Sequence, residues 1–459
     1  MFLSAVILST AILTSNPITE QANISVYIQN LNTGEVIDSH RETNVVPPAS
    51  VMKLLTTGAA LELYGADYQL KTVVEYTGVI RHDTLFGDLY VRGGCDPSLG
   101  TKGQTGFQYK WAKVVKGAGI KVIKGAVIAD ATMLDPEAQN PAWLCEDAGN
   151  YYAPGIFGLN YYDNTMNVVL KSGPVGSVAE VTKTEPYVED VIFINHIRCA
   201  KIDYDGAFVS GIPYSNERYL TGSVPSNLGT FGVKGDLPNP GLLLARHFTK
   251  VLQESGIKVL KEPIYQAVYN PMSPPRVEIY THLSPKMSEL IAEANINSNN
   301  LYAEALFRFL GTRYGQPGTI HNAQDVLKEF WKNKKISIQN AIIKDGCGLA
   351  PQDAISAKTL VELLTVMAHS KNAEVWKASL PTSGQTGTLK SLCAGTVLEG
   401  KIHAKSGTIA GTKNYAGYID APNGDTWVFA IMINSAPGKA KNIQKVIQDY
   451  LLDVYKNHP

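Results

Sequence analysis

The sequence predicts an α+β fold: a sheet made from both chain ends, helices packed on it, and a large β-rich insertion between them. Three observations predict this. A β-like hairpin opens the chain, and two hydrophobic strands followed by an amphipathic helix close it. The polar clusters that could carry chemistry lie in and beside helical stretches next to those ends. Between residues 68 and 280 the texture changes to short β-like runs punctuated by turn residues. Strands and helices segregated in this way characterise an α+β arrangement rather than alternating βαβ units.

A chain of 459 residues exceeds what one hydrophobic core usually serves. Its 41 basic and 41 acidic residues cancel, which argues against nucleic acid or an anionic membrane as the main partner. Cysteines at 95, 145, 199, 347 and 393 form no C-x-x-C pair, so neither a zinc site nor a thioredoxin motif is supported, and no metal or cofactor is expected. Their odd number and wide spacing argue against a disulfide framework, though a single bridge stays open. Residues 2–13 form a short apolar run with two balanced readings: the hydrophobic part of a signal peptide, or the first helix of the folded chain. It is too short to span a bilayer, and no other stretch approaches that length.

Residues 24–28 alternate and are β-branched, Asn32-Thr33-Gly34 turns, and residues 35–37 begin a return strand. A helix is expected from Ser50 to Tyr64. The insertion shows strand-like runs at 71–76, 89–92, 122–129, 167–170, 191–196 and 276–280, with one helix at 242–255. Asn270-Pro271-Met272-Ser273-Pro274-Pro275 reads as its boundary. Helical patterns follow at 286–297, 299–311, 323–332 and 356–368. Strands at 415–419 and 427–434 flank Asn423-Gly424, and a final helix covers 439–455. The expected organisation is one discontinuous domain, 1–67 with 281–459, around an inserted region, 68–280, of one or two accessory domains.

Three clusters stand out. Ser50 and Lys53, at i and i+3, share one face of a helix start and are flanked by apolar residues. Alone, Ser50 is more simply a helix N-cap, and about two chance Ser-x-x-Lys matches are expected in a chain this long. Ser298-Asn299-Asn300 lies between two helices and could equally cap the second. Lys405-Ser406-Gly407-Thr408 precedes a hydrophobic strand and could form an edge strand beside a cleft. Decoys exist at Ser255/Lys258, Ser370/Asn372 and Lys171-Ser172-Gly173. Only one ordered set joins a helix-opening serine, an interhelical Ser-x-Asn and a Lys-Ser-Gly-Thr near the C-terminal sheet.

The residue types suit acyl transfer. A serine hydroxyl needs a base, and a lysine serves if burial and a second cation, here Lys405, keep it neutral. Ser298 can relay a proton between Lys53 and a leaving amine. Backbone N–H groups of Ser50 and Thr408 can form an oxyanion hole. Lys405, Ser406 and Thr408, with Gly407 between them, make a small cationic pocket for a carboxylate, and Asn300 can bond a substrate amide.

Ser-x-x-Lys, Ser-x-Asn and Lys-[Thr/Ser]-Gly in this order resemble the penicillin-binding protein and serine β-lactamase signature. Pro48-Ala49-Ser50-Val51-Met52-Lys53-Leu54-Leu55-Thr56-Thr57 is closer to the class C low-molecular-mass D-alanyl-D-alanine carboxypeptidases of peptidase family S13. So are Gly87-Asp88-Leu89, Gly93-Gly94-Cys95-Asp96-Pro97, Asp345-Gly346-Cys347-Gly348-Leu349 and Gly387-Thr388-Leu389. The resemblance covers essentially the whole chain. It implies a transpeptidase-like core, an antiparallel sheet with helices on both faces, and a serine D,D-peptidase acting on peptidoglycan stem peptides. It also implies covalent inhibition by β-lactam antibiotics and a periplasmic or envelope location, and it leaves room for peripheral envelope association and a homodimer. Ser50, Lys53 and Ser298 fall on the family's catalytic positions, and Asn300, Lys405, Ser406, Gly407 and Thr408 on its substrate-binding ones. Ser406 replaces the commoner threonine and keeps the hydroxyl. Cys95 and Cys347 stand where glycine and serine are usual, and read as packing changes. Asp96 and Asp345 read as turn residues.

Two rival readings share these residue types. A serine β-lactamase is disfavoured because Ser50 and Ser298 are about 250 residues apart and no Glu-x-x-x-Asn follows Asn300 closely. A non-catalytic β-lactam sensor is disfavoured by the retained Ser298 and the lack of a signalling span.

Overall fold

The computed structural model describes residues 9–101 and 106–458. The chain divides into two compact units. The first comprises the chain up to Tyr68, Lys286–Leu310, and the chain from Ala323 onward; the second is Gln69–Pro285 with Gly311–Asn322. Segment Gly311–Asn322 thus groups with the second unit, although it follows the helices of the first.

The first unit is built on a five-stranded antiparallel sheet. Its strands are β1 (Asn23–Asn30), β2 (Val36–His40), β3 (Ile402–Ile409), β4 (Thr412–Asp420) and β5 (Thr426–Asn434), in the order β2-β1-β5-β4-β3. β1 pairs with β5 along its whole length, from Asn23↔Asn434 to Asn30↔Trp427, so the two chain ends close one sheet. β3 lies at the edge, as the sequence suggested for the Lys-Ser-Gly-Thr stretch. The helices include α1 (Lys53–Tyr64), α2 (Met287–Ile296), α3 (Asn300–Leu310), α4 (Ala357–Ala368) and α5 (Ala440–Asn457). Ile443, Ile447, Leu451 and Val454 of α5 pack on one face of the sheet against Val26, Ile28, Phe429 and Ile431. On the other face, α4 receives the Tyr418 hydroxyl at the Leu364 carbonyl (2.7 Å) and Gln29 at Thr365 (3.3 Å). Strict side-chain alternation along the strands lets both faces be buried at once.

The second unit has its own core of Val74, Leu89, Val91, Trp111, Val127, Leu220, Val224, Phe248 and their neighbours. Inside it, Arg218 and Asp236 form a fully buried ion pair at 2.7 Å. Arg276 joins Glu75 (2.8 Å) and Asp130 (2.5 Å) and lies over the Tyr90 ring.

Several expectations need correction. The insertion contains a second full helix, Phe107–Gly117, besides Pro240–Glu254. The strand expected at 122–129 is two, Val122–Ile123 and Val127–Asp130, in different sheets. The Ser50 helix begins as a 3-10 turn, Ala49–Met52, before α1. Of the apolar run at 2–13, residues 2–8 lie outside the described residues; Ala11–Thr14 is a short helix with Leu13 buried in the sheet core. All five cysteines are free thiols. No helix among the described residues is long and apolar enough to cross a membrane.

Candidate active site

Every residue singled out for acyl transfer lies in the first unit. Pro47-Pro48 cannot continue a helix backward, and Ala49, the first residue of the 3-10 turn, takes a left-handed φ of 47°. This places Ser50, partly exposed, at the entrance to α1, whose first residue is Lys53. The three-residue offset puts Lys53 Nζ 3.0 Å from Ser50 Oγ. Nζ also donates to Asn300 Oδ1 (2.6 Å) and to the Cys347 carbonyl (2.8 Å). Lys53 is fully buried, and burial lowers its pKa against the opposing pull of Cys347, Asp345 and Glu304.

Ser298 sits in the break between α2 and α3 with φ +58°, and Asn300 begins α3. The Ser298 hydroxyl accepts from Lys405 Nζ at 2.9 Å, so in this state Lys405 holds it. Lys405 also reaches the Ser406 carbonyl (2.7 Å). Burial drives its pKa well below the lysine range, with Lys53 and Lys413 as repelling neighbours. Lys405 is the second amine beside Lys53; burial lowers both, and Lys53 alone feels the opposing pull of Cys347, Asp345 and Glu304.

The β3 edge is held against the nucleophile's turn. A Cβ on Gly407 would stand 2.6 Å from the Pro48 carbonyl and 3.2 Å from the Ser50 nitrogen, so only glycine lets the strand approach this closely. From β4, Asn414 Nδ2 donates to the Pro47 and Pro48 carbonyls at 2.9 Å each, while its Oδ1 accepts the Ile433 N–H. Ser406 Oγ reaches Thr388 Oγ1 at 2.7 Å. Thr408 Oγ1 accepts from Lys413 Nζ at 2.8 Å.

Behind Lys53 lies a brace that the sequence reading left as a simple turn. The Asp345 carboxylate accepts the N–H groups of Cys347, Gly348, Leu349 and Ala350 at 2.6–3.1 Å. Glu304 accepts the Gly346 N–H at 2.5 Å, and Thr56 of α1 donates to the Gly346 carbonyl at 2.8 Å. Asp345, Cys347 and Glu304 are all buried. Burial pushes the Glu304 carboxyl up to about 8 and the Cys347 thiol well above its usual range. Their donor atoms crowd together, as metal ligands would. Yet Asp345 is committed to backbone amides and Cys347 to its proton, which suits a hydrogen-bonded brace that fixes the Cys347 carbonyl under Lys53.

The structure thus brings Ser50, Lys53, Ser298, Asn300 and Lys405 together, and beside them stand Glu304, Asn414, Lys413 and the Cys347 carbonyl, which the sequence does not single out. None of the latter has a local signature. The decoys fall elsewhere: Ser255 caps the end of Pro240–Glu254, and Lys171 and Ser172 lie in strand Thr165–Ser172.

Comparisons with known proteins agree on one family. The family described as D-Ala-D-Ala carboxypeptidase 3 (S13) matches residues 8–454. The chain is 27% identical to a D-alanyl-D-alanine carboxypeptidase of Actinomadura sp. (strain R39), over 93% of this chain and 80% of that one. Among solved structures, penicillin binding protein 4 (dacB) from Haemophilus influenzae superposes with a TM-score of 0.84 at 22% identity, covering 97% and 98% of the two chains. The same protein complexed with a β-lactam superposes with a TM-score of 0.79 at 21% identity, covering 98% and 99%.

Proposed function

We propose, for a chain that belongs to the D-Ala-D-Ala carboxypeptidase 3 (S13) family and is a serine peptidase hydrolase, that Ser50 attacks the bond between the terminal D-alanines of a peptidoglycan stem peptide. The acyl group rests on Ser50 until water releases it. The observation that carries this reading is the set of three partners around Lys53 Nζ. Asn300 Oδ1 and the Cys347 carbonyl only accept, so they take the two N–H groups of a neutral amine. Its lone pair then faces Ser50 Oγ, the geometry of a general base.

Lys405 supplies the switch. Free, its charge is disfavoured first by burial and then by Lys53 and Lys413. A substrate's C-terminal carboxylate entering beside Ser406 and Thr408 restores that charge, and the nearby cation holds Lys53 neutral. The same carboxylate draws Lys405 off Ser298, freeing that hydroxyl to pass a proton from Lys53 to the leaving amine. The N–H groups of Ser50 and Thr408 receive the oxyanion, a pairing supported by the close approach of Gly407 to the Ser50 nitrogen. Asn300 orients the substrate amide. No metal or cofactor enters these steps.

β-Lactams carry a carboxylate beside a strained amide, and would acylate Ser50 by the same route; the β-lactam complex of the Haemophilus relative supports this. Cleaving cross-links between stem peptides needs only a different leaving amine. The location proposed is the periplasm or envelope, where such peptides are found.

Ser50→Ala is expected to abolish both labelling by fluorescent penicillin and release of D-alanine from a pentapeptide. Labelling that survives the substitution would place the nucleophile elsewhere. Wild-type protein that labels without releasing D-alanine would instead indicate a sensor, and rapid release of the label a β-lactamase. Mass spectrometry of products from purified muropeptides separates carboxypeptidase from endopeptidase action.

A further inference from the structure

Lys53, Lys405 and Lys413 form a buried row of amines, and the acidic groups that act on it do so at the Lys53 end. Asp345 and Glu304 act on Lys53. Lys405 and Lys413 make no ion pair with a carboxylate among the described residues, and the charges that act on Lys405 are those of the other two lysines. Lys413 is 8% exposed. A lysine buried without a counter-ion is costly, and a chain keeps one where a ligand supplies the missing charge.

The position of Lys413 says which ligand. It stands directly across from Thr408 in the β3–β4 register, so the two side chains share a face of the sheet. Its Nζ donates to Thr408 Oγ1 at 2.8 Å, which leaves the threonine's own O–H to donate outward. We propose that Lys413 is a specificity-determining residue: with Lys405 it supplies the positive charge that receives the substrate's C-terminal carboxylate, and it orients the Thr408 hydroxyl toward that group. Lys405 approaches through Ser298 and the Ser406 carbonyl, and Lys413 through Thr408, so the edge of β3 is served by two cations. Burial alone brings the Lys413 pKa down to about 8, and a bound carboxylate would raise it again. This inference rests on the D,D-peptidase reading.

The test compares a peptide ending in D-Ala-D-Ala with the same peptide ending in the C-terminal amide. For Lys413→Gln the preference for the free carboxylate, as a ratio of kcat/KM values, should fall roughly tenfold to a hundredfold, mainly through KM. Lys413→Arg should restore most of it. In the ligand-free protein Lys413→Met should raise the melting temperature, since it removes a buried charge that has no counter-ion and only the Tyr415 ring, 5.1 Å away, and the Thr408 hydroxyl to offset it; a purely structural lysine would give a lower one. An unchanged ratio in Lys413→Gln, or an equal loss on both peptides with a lowered melting temperature, overturns the assignment. Wild-type protein that neither cleaves the acid peptide nor labels with penicillin would overturn the peptidase reading first, and this one with it.

Discussion

At the scale of single residues, the site is a problem of buried charge. Glu304 is the clearest titration. Its carboxyl is raised from 4.5 to about 8 by burial and by Asp345, so the folded chain holds a proton there that the unfolded chain has already lost. A raised folded pKa contributes stability that is fully present below about 4.5 and is lost as pH climbs through 8. Glu304→Gln mimics the protonated form and should flatten that loss. Relative to wild type, it should gain about 1 kcal/mol or more between pH 5 and pH 9 in denaturant unfolding. A constant difference across that range would mean Glu304 is already ionised in the folded state. Lys405→Ala bears on the middle of the row of lysines. It should slow acylation at least about tenfold for substrates with a free terminal carboxylate. An equal loss on an ester lacking that group would remove the pocket role.

At the scale of elements, two contacts decide how close the β3 edge comes to the nucleophile: Gly407 against Pro48, and Asn414 reaching from β4 to the Pro47 and Pro48 carbonyls. Gly407→Ala sets a methyl 2.6 Å from a backbone oxygen that cannot rotate away. The strand must retreat, at about 1–3 kcal/mol of strain, and the oxyanion donors separate. Penicillin acylation should fall at least about a hundredfold while the far-ultraviolet circular dichroism keeps its shape. Acylation at the wild-type rate would show that the two N–H groups do not act together.

How much of this was legible follows from the range of each interaction. β1, β3, β4, β5 and α5 follow alternation or helical periodicity within a few residues, and the sequence expected them near their observed places. Helix Phe107–Gly117 was missed although Phe107, Trp111 and Val115 recur at the spacing of a helix face; it starts at Gly106 with no side-chain cap to announce it. The Cys347 carbonyl has no residue signature at all, since any amino acid carries one. Lys413 and Asn414 read as ordinary polar residues at the start of a strand, because the partners that give them meaning are brought by pairing and not by sequence distance. Ser298 was placed as a relay to Lys53, and it is held by Lys405 because the break between α2 and α3 presents it to the β3 edge.

At the scale of the whole molecule, two of the hydrophobic cores among the described residues share no residue. One is the sheet of β1–β5 with α5; the other is centred on Trp111, Phe248 and Val168. The residues proposed for acyl transfer all belong to the unit with the first core. A covalent ligand on Ser50 adds contacts within the unit that carries Ser50. If the units unfold separately, calorimetry should resolve two transitions, and pre-treatment with a penicillin should raise only one of them. The shift should be about 2–4 °C for each kcal/mol of new contact. Trp111→Ala, which opens a cavity in the second core, should lower the other transition and leave the penicillin-sensitive one in place. A single transition that moves as one under both perturbations would mean that the two cores unfold as one cooperative body. In that case a substitution anywhere in the insertion would lower the temperature at which Ser50 can still be acylated.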